Sequence, residues 1–189
     1  MKKSYYPIII TILLTLFFVS ESKAQGFNEI DEIPHDISYY RLNRATPPLA
    51  KVLYGRPQKK EDKVFGNSVP YDKVWRTGAN EATEVKFYKD VKFGDTSVPA
   101  GTYVLLTIPG ENKWEVILNS KLDVLGAFQY NPTFDVARIT VDVSKAETLE
   151  SFSIAFKNFN EGVQMVLGWD TTRIKIPLKF DEDSAVVKM

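Results

Sequence analysis

The sequence predicts an all-β protein, an antiparallel β-sandwich or jelly-roll of about nine strands, with a closed β-barrel as the alternative. From Leu49 onward, short runs rich in Val, Ile, Phe, Tyr and Thr are separated by Gly, Pro, Asn and Asp, which is the pattern of strands and turns. Several runs carry apolar side chains at every second position. No amphipathic stretch is long enough to supply the helices of a parallel βαβ fold.

Three runs, at residues 84–87, 137–143 and 151–156, alternate cleanly between apolar and polar side chains. In the first of them, Val85 and Phe87 share one face, and charged side chains occupy the other. Each run therefore predicts an antiparallel strand with one buried and one solvated face.

The clearest hairpin lies in the middle of the chain. Residues 102–108 form a β-branched and aromatic run, Pro109 and Gly110 begin a turn, and residues 114–118 return. Proline fixes φ and glycine accepts positive φ, so this pair has a physical reason to reverse the chain.

A second hairpin is predicted near the C-terminus. Residues 163–169 and 172–178 each place their large apolar side chains on one face, and Asp170 and Thr171 provide the turn between them. Pro177 cannot donate to a ladder, which marks the second of these strands as an edge strand.

The N-terminus has the features of a cleavable signal peptide. Lys2 and Lys3 precede an apolar run at residues 8–19, which has the length of a signal sequence and is too short to span a bilayer. Small side chains lead up to Ala24, so cleavage is expected before Gln25. An uncleaved membrane anchor is the alternative.

The predicted organisation has four parts: a signal peptide at residues 1–24, a leader at 25–46 that packs on or trails from the domain, a single β domain at 47–180, and a tail at 181–189. The mature length of about 165 residues is enough for one hydrophobic core. We expect the product in the periplasm or secreted.

The cysteine count and the net charge exclude further classes of protein. The chain has no cysteine, so a packed core must stabilise it, and no thiol is present for a lipid anchor. Its 24 Lys and Arg balance 24 Asp and Glu, and loss of the signal peptide leaves a net charge of −2. This balance argues against nucleic acid as a partner. No other segment is apolar enough to span a membrane after cleavage.

Most types of catalytic site and metal site require residues that this sequence does not provide. His35 is the only histidine and lies in the leader, which leaves the core domain without a multi-histidine metal site or a Ser-His-Asp triad. A cysteine nucleophile is excluded, and neither a glycine-rich phosphate loop nor an EF-hand spacing is found. We therefore expect no metal, no cofactor and no catalytic residue of these types.

Polar and aromatic side chains are concentrated between residues 54 and 83, where β alternation is weak. Such side chains are costly to bury unpaired and useful against a ligand. The sequence therefore predicts a site for a small polar or carbohydrate ligand in this stretch. Its candidate residues are Tyr54, Arg56, Tyr71, Trp75, Arg76, Asn80 and Glu81.

Several segments carry a resemblance to a known family. They are residues 54–57 (Tyr-Gly-Arg-Pro), 74–83 (Val-Trp-Arg-Thr-Gly-Ala-Asn-Glu-Ala-Thr), 99–103 (Pro-Ala-Gly-Thr-Tyr), 107–110 (Thr-Ile-Pro-Gly) and 167–169 (Leu-Gly-Trp). Over roughly residues 46–178 the chain resembles the family catalogued as domain of unknown function 2911, found in exported bacterial proteins. The resemblance implies one exported β domain. It implies no reaction, because that family has no assigned activity.

Each candidate has a structural interpretation beside the functional one. Arg76 and Glu81 could clamp a carboxylate, a sulfate or sugar hydroxyls, or they could form an ion pair that stabilises a long loop. Arg56 has the same two interpretations. Trp75 and the two tyrosines could stack on a sugar ring or belong to the core.

Three functions remain open from the sequence. The leading hypothesis is a non-catalytic domain that binds a small polar or carbohydrate ligand, or an envelope partner, through this cluster. A glycoside hydrolase is the alternative, and its carboxylate pair would be Glu81 with Glu84 or Asp170. A purely structural envelope protein is the third hypothesis, which predicts no concave pocket near the candidate residues. The sequence assigns no oligomeric state.

Overall fold

The computed structural model describes residues 32–160 and 162–180. The predicted signal peptide and C-terminal tail lie outside the described residues. No helix among the described residues has the length and hydropathy to cross a membrane. The strands are β1 (His35–Tyr40), β2 (Ala50–Gly55), β3 (Glu84–Phe87), β4 (Val91–Phe93), β5 (Thr96–Val98), β6 (Gly101–Ile108), β7 (Lys113–Asn119), β8 (Asp135–Phe159) and β9 (Gly162–Phe180).

All nine described strands pair antiparallel, in the order β1-β2-β3-β6-β7-β8-β9-β4-β5. Strand β8 belongs to two layers, because its first part pairs with β7 and its remainder with β9. The sheet thus folds over on itself like a sandwich. The all-β prediction is confirmed. The sheet is not closed into a barrel, since its end strands β1 and β5 do not pair with each other.

The β6–β7 hairpin is found where the sequence predicts it, with Ile108 paired to Glu115 across the turn. Residues 84–87 also form the predicted strand, β3. Within the predicted leader, His35–Tyr40 forms β1 and pairs with the whole of β2 at the edge of the sheet.

The runs at 137–143 and 151–156, predicted as separate strands, are parts of the single strand β8. Its pairing with β9 changes register between Lys145 and Leu149 and again between Leu149 and Ser153. Irregular pairing of this kind bends a strand and interrupts its alternation. The sequence pattern therefore breaks in the middle of β8 although the strand continues.

The hairpin predicted at Asp170 and Thr171 is wrong, because β9 continues through both residues as one strand. Asp170 has a φ of +50° and sits where the register shifts, so it bends the strand without reversing it. The predicted edge position is also wrong, since β9 lies between β8 and β4. Pro177 is accommodated there because the pairs with β8 end at Ile174 and those with β4 begin at Leu178.

The inward side chains of the two layers form the main hydrophobic core. A smaller cluster lies on the outer face of β6 and β7, where Leu106 and Ile117 are covered by Ala82 and Val124 from two loops. These loops therefore bury apolar surface and are fixed to the sheet. The largest fully buried side chains are Trp114, Phe87, Phe93, Phe152, Leu105, Leu106, Ile117, Leu118, Met165, Leu167, Ile174 and Ile176.

A mostly buried ion pair fixes the segment that follows β2. Lys59 Nζ lies 2.9 Å from Asp170 Oδ1, and the two side chains are only 16% and 12% exposed. Burial alone would raise the pKa of Asp170, but the hydrogen bond and charge of Lys59 outweigh it and hold that pKa below its usual range. Asp170 therefore stabilises the folded state only when it is ionised.

We expect Asp170→Asn to be less stable than the wild type near neutral pH and to approach it in acid. A carboxyl whose pKa is lowered by folding stabilises the protein above its unfolded pKa of about 3.9 and loses this contribution as pH falls through the folded pKa. Asparagine tolerates the positive φ and has nearly the same size, so the substitution keeps the backbone and removes the charge that Lys59 and the N–H groups of Val64 and Thr171 stabilise. Urea unfolding between about pH 7 and pH 3 measures the difference.

The matched control for this test is Asp142→Asn. Asp142 also faces a lysine, Lys113, at 3.7 Å, but its side chain is 84% exposed. Exposed pairs contribute little, so this variant should follow the wild type throughout. An Asp170→Asn deficit that is the same at neutral and acid pH would contradict the charge interpretation.

Candidate functional site

The segment between Trp75 and Thr83 is a loop whose two ends are both fixed to β6. Trp75 exchanges backbone hydrogen bonds with Thr107, at 2.7 and 3.0 Å, and the Leu105 N–H donates to the Thr83 carbonyl at 2.8 Å. The Thr83 N–H then donates to the Arg76 carbonyl at 3.1 Å and closes the loop. We call residues 76–83 the motif loop.

Three fully buried threonines hold the base of the motif loop. The Thr83 hydroxyl donates to the Thr77 carbonyl at 2.7 Å, and the hydroxyls of Thr77 and Thr107 lie 3.1 Å apart. All three residues are 0% exposed. Thr77 has a positive φ of 59°, an uncommon conformation for a β-branched residue, which persists only where the surroundings fix it.

The motif loop packs directly against the end of β2. A Cβ placed on Gly55 would lie 2.0 Å from the Ala79 carbonyl oxygen, and one on Gly78 would lie 3.0 Å from the Gly55 carbonyl oxygen. Only residues without a side chain allow the two backbones to come this close. The motifs at residues 54–57 and 74–83 therefore share one backbone contact.

An open pocket of about 210 Å³ lies beside this contact. Glu81 from the motif loop, Glu84 from β3 and Asp123 from the loop after β7 bring three carboxylates to it, and His35 Nε2 lies 3.1 Å from Glu81 Oε2. Carboxylates accept hydrogen bonds from hydroxyl and ammonium groups and repel anions. We call this the acidic pocket. It is lined by His35, Leu53, Tyr54, Gly55, Glu81, Ala82, Glu84, Asp123 and Val124.

Of the predicted site residues, Tyr54 and Glu81 line the acidic pocket. The Tyr54 ring itself is buried and meets Phe152 edge-on at 5.6 Å. Burial raises the pKa of Tyr54, and the negative charge of Asp36, whose Oδ2 lies 3.5 Å from the hydroxyl, raises it further. Tyr54 therefore stays protonated and serves as part of the wall.

Arg56 is used to hold β1 in place. Its Nη1 lies 3.2 Å from Asp36 Oδ2, and its backbone N–H donates to the Pro34 carbonyl at 2.8 Å. Its Nε is buried without a hydrogen-bond partner among the described residues. These contacts favour the structural interpretation of Arg56.

The rings of Trp75 and Tyr71 pack against the main core. Trp75 stacks on Trp169 with the ring centroids 6.2 Å apart and meets Phe152 at 5.1 Å. Tyr71 packs against Gly66, where a Cβ would lie 2.6 Å from its ring. These positions favour the core interpretation of the aromatic residues over an exposed stacking platform.

Arg76 and Glu81 do not form the ion pair that the sequence left open, since Glu81 pairs instead with His35. Within the described part of the chain, the Arg76 guanidinium has neither a hydrogen-bond nor an ion-pair partner, and its buried Nε is unsatisfied. Arg76 extends toward Gly126 and does not line the acidic pocket. Asn80 has a φ of +60°, and its Nδ2 donates to the Ile33 carbonyl at 3.4 Å.

Two polar residues of the acidic pocket were not among the residues predicted from the sequence. His35 and Asp123 lie far from the motif loop along the chain, and only the pairing of β1 with β2 and the hydrogen bond from the Ala82 N–H to the Val124 carbonyl bring them there. Single polar residues of this kind carry no periodic or spacing signal. No group of described His, Asp or Glu side chains is arranged to hold a metal ion.

One comparison with known proteins gives a match. The family model described as "Protein of unknown function (DUF2911)" matches residues 44–178, well over half of the chain. The matched range contains β2 to β8, most of β9 and the motif loop, but not β1. No curated protein and no solved structure matches the chain.

Proposed function

The chain belongs to the DUF2911 family, and on that premise we propose that it is an exported, non-catalytic domain that binds a small polar ligand in the acidic pocket. One observation supports this most strongly: the two motifs of the family resemblance meet at this pocket, through Gly55 and Glu81. The glycine contacts fix the backbone, and Glu81 points out with 63% of its side chain exposed.

The charges in the pocket select the class of ligand. Three carboxylates accept hydrogen bonds from a ligand that carries hydroxyl or amino groups, such as a sugar or an amino sugar. A carboxylate or sulfate ligand, which the sequence also allowed, is disfavoured here because Arg76 does not reach the pocket. The volume of about 210 Å³ is smaller than the roughly 300–1,000 Å³ of typical small-molecule sites, which limits the ligand to about one sugar unit.

We expect Glu81→Gln to lose ligand binding while the protein keeps its stability. Glu81 is mostly exposed, so the substitution should change the free energy of unfolding by less than about 0.5 kcal/mol. Saturation-transfer NMR with glucosamine, N-acetylglucosamine and glucose measures binding, and a thermal melt measures stability.

Glu111→Gln is the matched control, because Glu111 lies exposed in the β6–β7 turn and outside the pocket. It should bind as the wild type does. Absence of binding by the wild type to all three sugars, or equal loss in both variants, would contradict the proposal.

A glycoside hydrolase is the second candidate, because Glu81 and Glu84 line the same pocket. Asp170, the other partner considered, is bound to Lys59 and does not line it. A hydrolase would cleave p-nitrophenyl glycosides, and Glu81→Gln and Glu84→Gln would each abolish the release of nitrophenol. Sugar binding without any cleavage would favour the non-catalytic function.

Export is the part of the proposal that rests on residues 1–24. The charged start, the short apolar run and the small side chains before Gln25 support it. Protein recovered from the envelope of its host should have the intact mass of a chain that begins at Gln25. A mass that includes Met1 would contradict cleavage.

A further inference from the structure

A second pocket, of about 480 Å³, lies on the ribbon formed by β8 and β9. Four cationic residues line it: Lys145 and Lys157 from β8, and Arg173 and Lys175 from β9. The Lys145 ammonium lies 3.5 Å from the hydroxyl of Thr172, its partner across the ribbon, so Lys157, Arg173 and Lys175 are the cations available to a ligand. None of its lining residues is acidic. The chain as a whole balances 24 basic against 24 acidic residues, so this pocket is a local concentration of positive charge. We call it the basic pocket.

The register of the ribbon explains how the four charges come together. Ser144 pairs with Arg173 in one stretch, and Lys157 pairs with Gln164 in another. The two register shifts of β8 lie between these stretches, and such irregularities bend a strand. The basic pocket therefore lies at the bend, with cations on both of its sides.

None of the four cations forms an ion pair with a described carboxylate. Other cations of the protein do, as Arg56 with Asp36 and Lys59 with Asp170 show. Like charges that line a concave surface reinforce each other's potential and raise the local concentration of counter-ions. A bound anion would relieve this repulsion.

Backbone carbonyls fix the guanidinium of Arg173 in one position at this pocket. Its Nη1 donates to the carbonyls of Asp170 and Thr172, at 2.9 and 2.8 Å, and its Nη2 donates to the carbonyl of Glu147. The side chain crosses Gly168, where a Cβ would lie 2.7 Å from Arg173 Cδ. These contacts use three of its five N–H groups, and all three acceptors are neutral carbonyls, while the charge of Asp170 also attracts the guanidinium. A fixed guanidinium loses little further entropy when it binds a ligand.

We propose that the basic pocket binds a ligand that carries more than one phosphate or sulfate group. The free N–H groups of Arg173 suit the oxygens of one such group, and Lys157 and Lys175 supply point charges for a second. Asn158 and Gln164 add polar side chains to the lining. The volume lies within the range of small-molecule sites. This site is separate from the acidic pocket, so the inference goes beyond the proposed function.

Titration calorimetry of the full mature protein with tripolyphosphate, at low salt, tests the proposal. We expect saturable binding by the wild type, weakened at least about tenfold in the double variant Lys157→Gln/Lys175→Gln. The control is Lys86→Gln/Lys92→Gln, which has the same net charge but changes two exposed lysines on β3 and β4. It should bind within about twofold of the wild type.

Sedimentation with cardiolipin vesicles, whose lipid carries two phosphates, separates the two sources of such a ligand. Pelleting that depends on Lys157 and Lys175 would assign the phosphates to a lipid headgroup, and tripolyphosphate binding without pelleting would assign them to a soluble anion. The proposal is overturned if the wild type does not bind tripolyphosphate, or if the control variant loses as much affinity as the test variant. Glu81→Gln should bind tripolyphosphate normally, so failure of this proposal and failure of the sugar site are distinguishable.

Discussion

Trp75→Ala should destabilise the protein by about 3 kcal/mol, the lower end of the range for the truncation of a large core aromatic side chain, because Trp75 is only partly buried. The Trp75 ring contacts four other rings, at centroid distances of 5.8 Å (Phe65), 6.2 Å (Trp114), 5.1 Å (Phe152) and 6.2 Å (Trp169). The cluster joins the two layers, because Trp114 lies on β7 and Trp169 on β9. A cavity at its centre would weaken both layers at once.

Urea unfolding followed by far-UV circular dichroism measures this loss without relying on tryptophan fluorescence, which the substitution itself changes. Domains of this size are stable by about 5–15 kcal/mol, so the variant should be marginally folded. Phe128→Ala is the control, because Phe128 is 81% exposed and its truncation should cost less than about 0.5 kcal/mol. A Trp75→Ala loss below about 1 kcal/mol would instead support a role for the ring at a ligand.

The alternation of apolar and polar side chains and the turn residues were sufficient to predict the all-β fold and the β6–β7 hairpin, since these two signals are local in the sequence. They failed at Asp170, where the residues of a turn occur inside a continuous strand. A positive φ favours the same residues in a bulge as in a hairpin, and the sequence does not distinguish the two. Only the pairing of β9 with β8 on one side and β4 on the other decides the case.

The sequence predicted the segment in which the candidate site lies, but it did not predict which side chains line the pocket. The stretch 54–83 does border the acidic pocket, yet Trp75 and Arg56 are occupied by contacts with the core and with β1. Residue type shows that a side chain is useful against a ligand, but it does not show where the side chain points. His35 reaches Glu81 only because β1 pairs with β2, a long-range contact without a local signal.

Gly55→Ala should destabilise the protein by about 1–3 kcal/mol or more, because the added methyl group would lie 2.0 Å from the Ala79 carbonyl oxygen. This neighbour is backbone and cannot turn aside as a side chain would. The hydrogen bond from the Thr83 hydroxyl to the Thr77 carbonyl further fixes the motif loop. Gly55 is not among the described residues with positive φ, so the cost comes from the contact alone.

Gly101→Ala separates this contact from the general effect of replacing a glycine in a strand. The nearest atom to its added Cβ is the Tyr103 hydroxyl at 3.1 Å, well beyond the 2.0 Å that separates a Cβ on Gly55 from the Ala79 carbonyl oxygen. We expect a change within about 1 kcal/mol for this control. In Gly55→Ala, amide NMR shifts should move throughout residues 77–83, because the motif loop must shift to make room. Since Glu81 lies in that loop, sugar binding should weaken together with stability, whereas wild-type stability and unmoved loop shifts would refute the close contact between the two motifs.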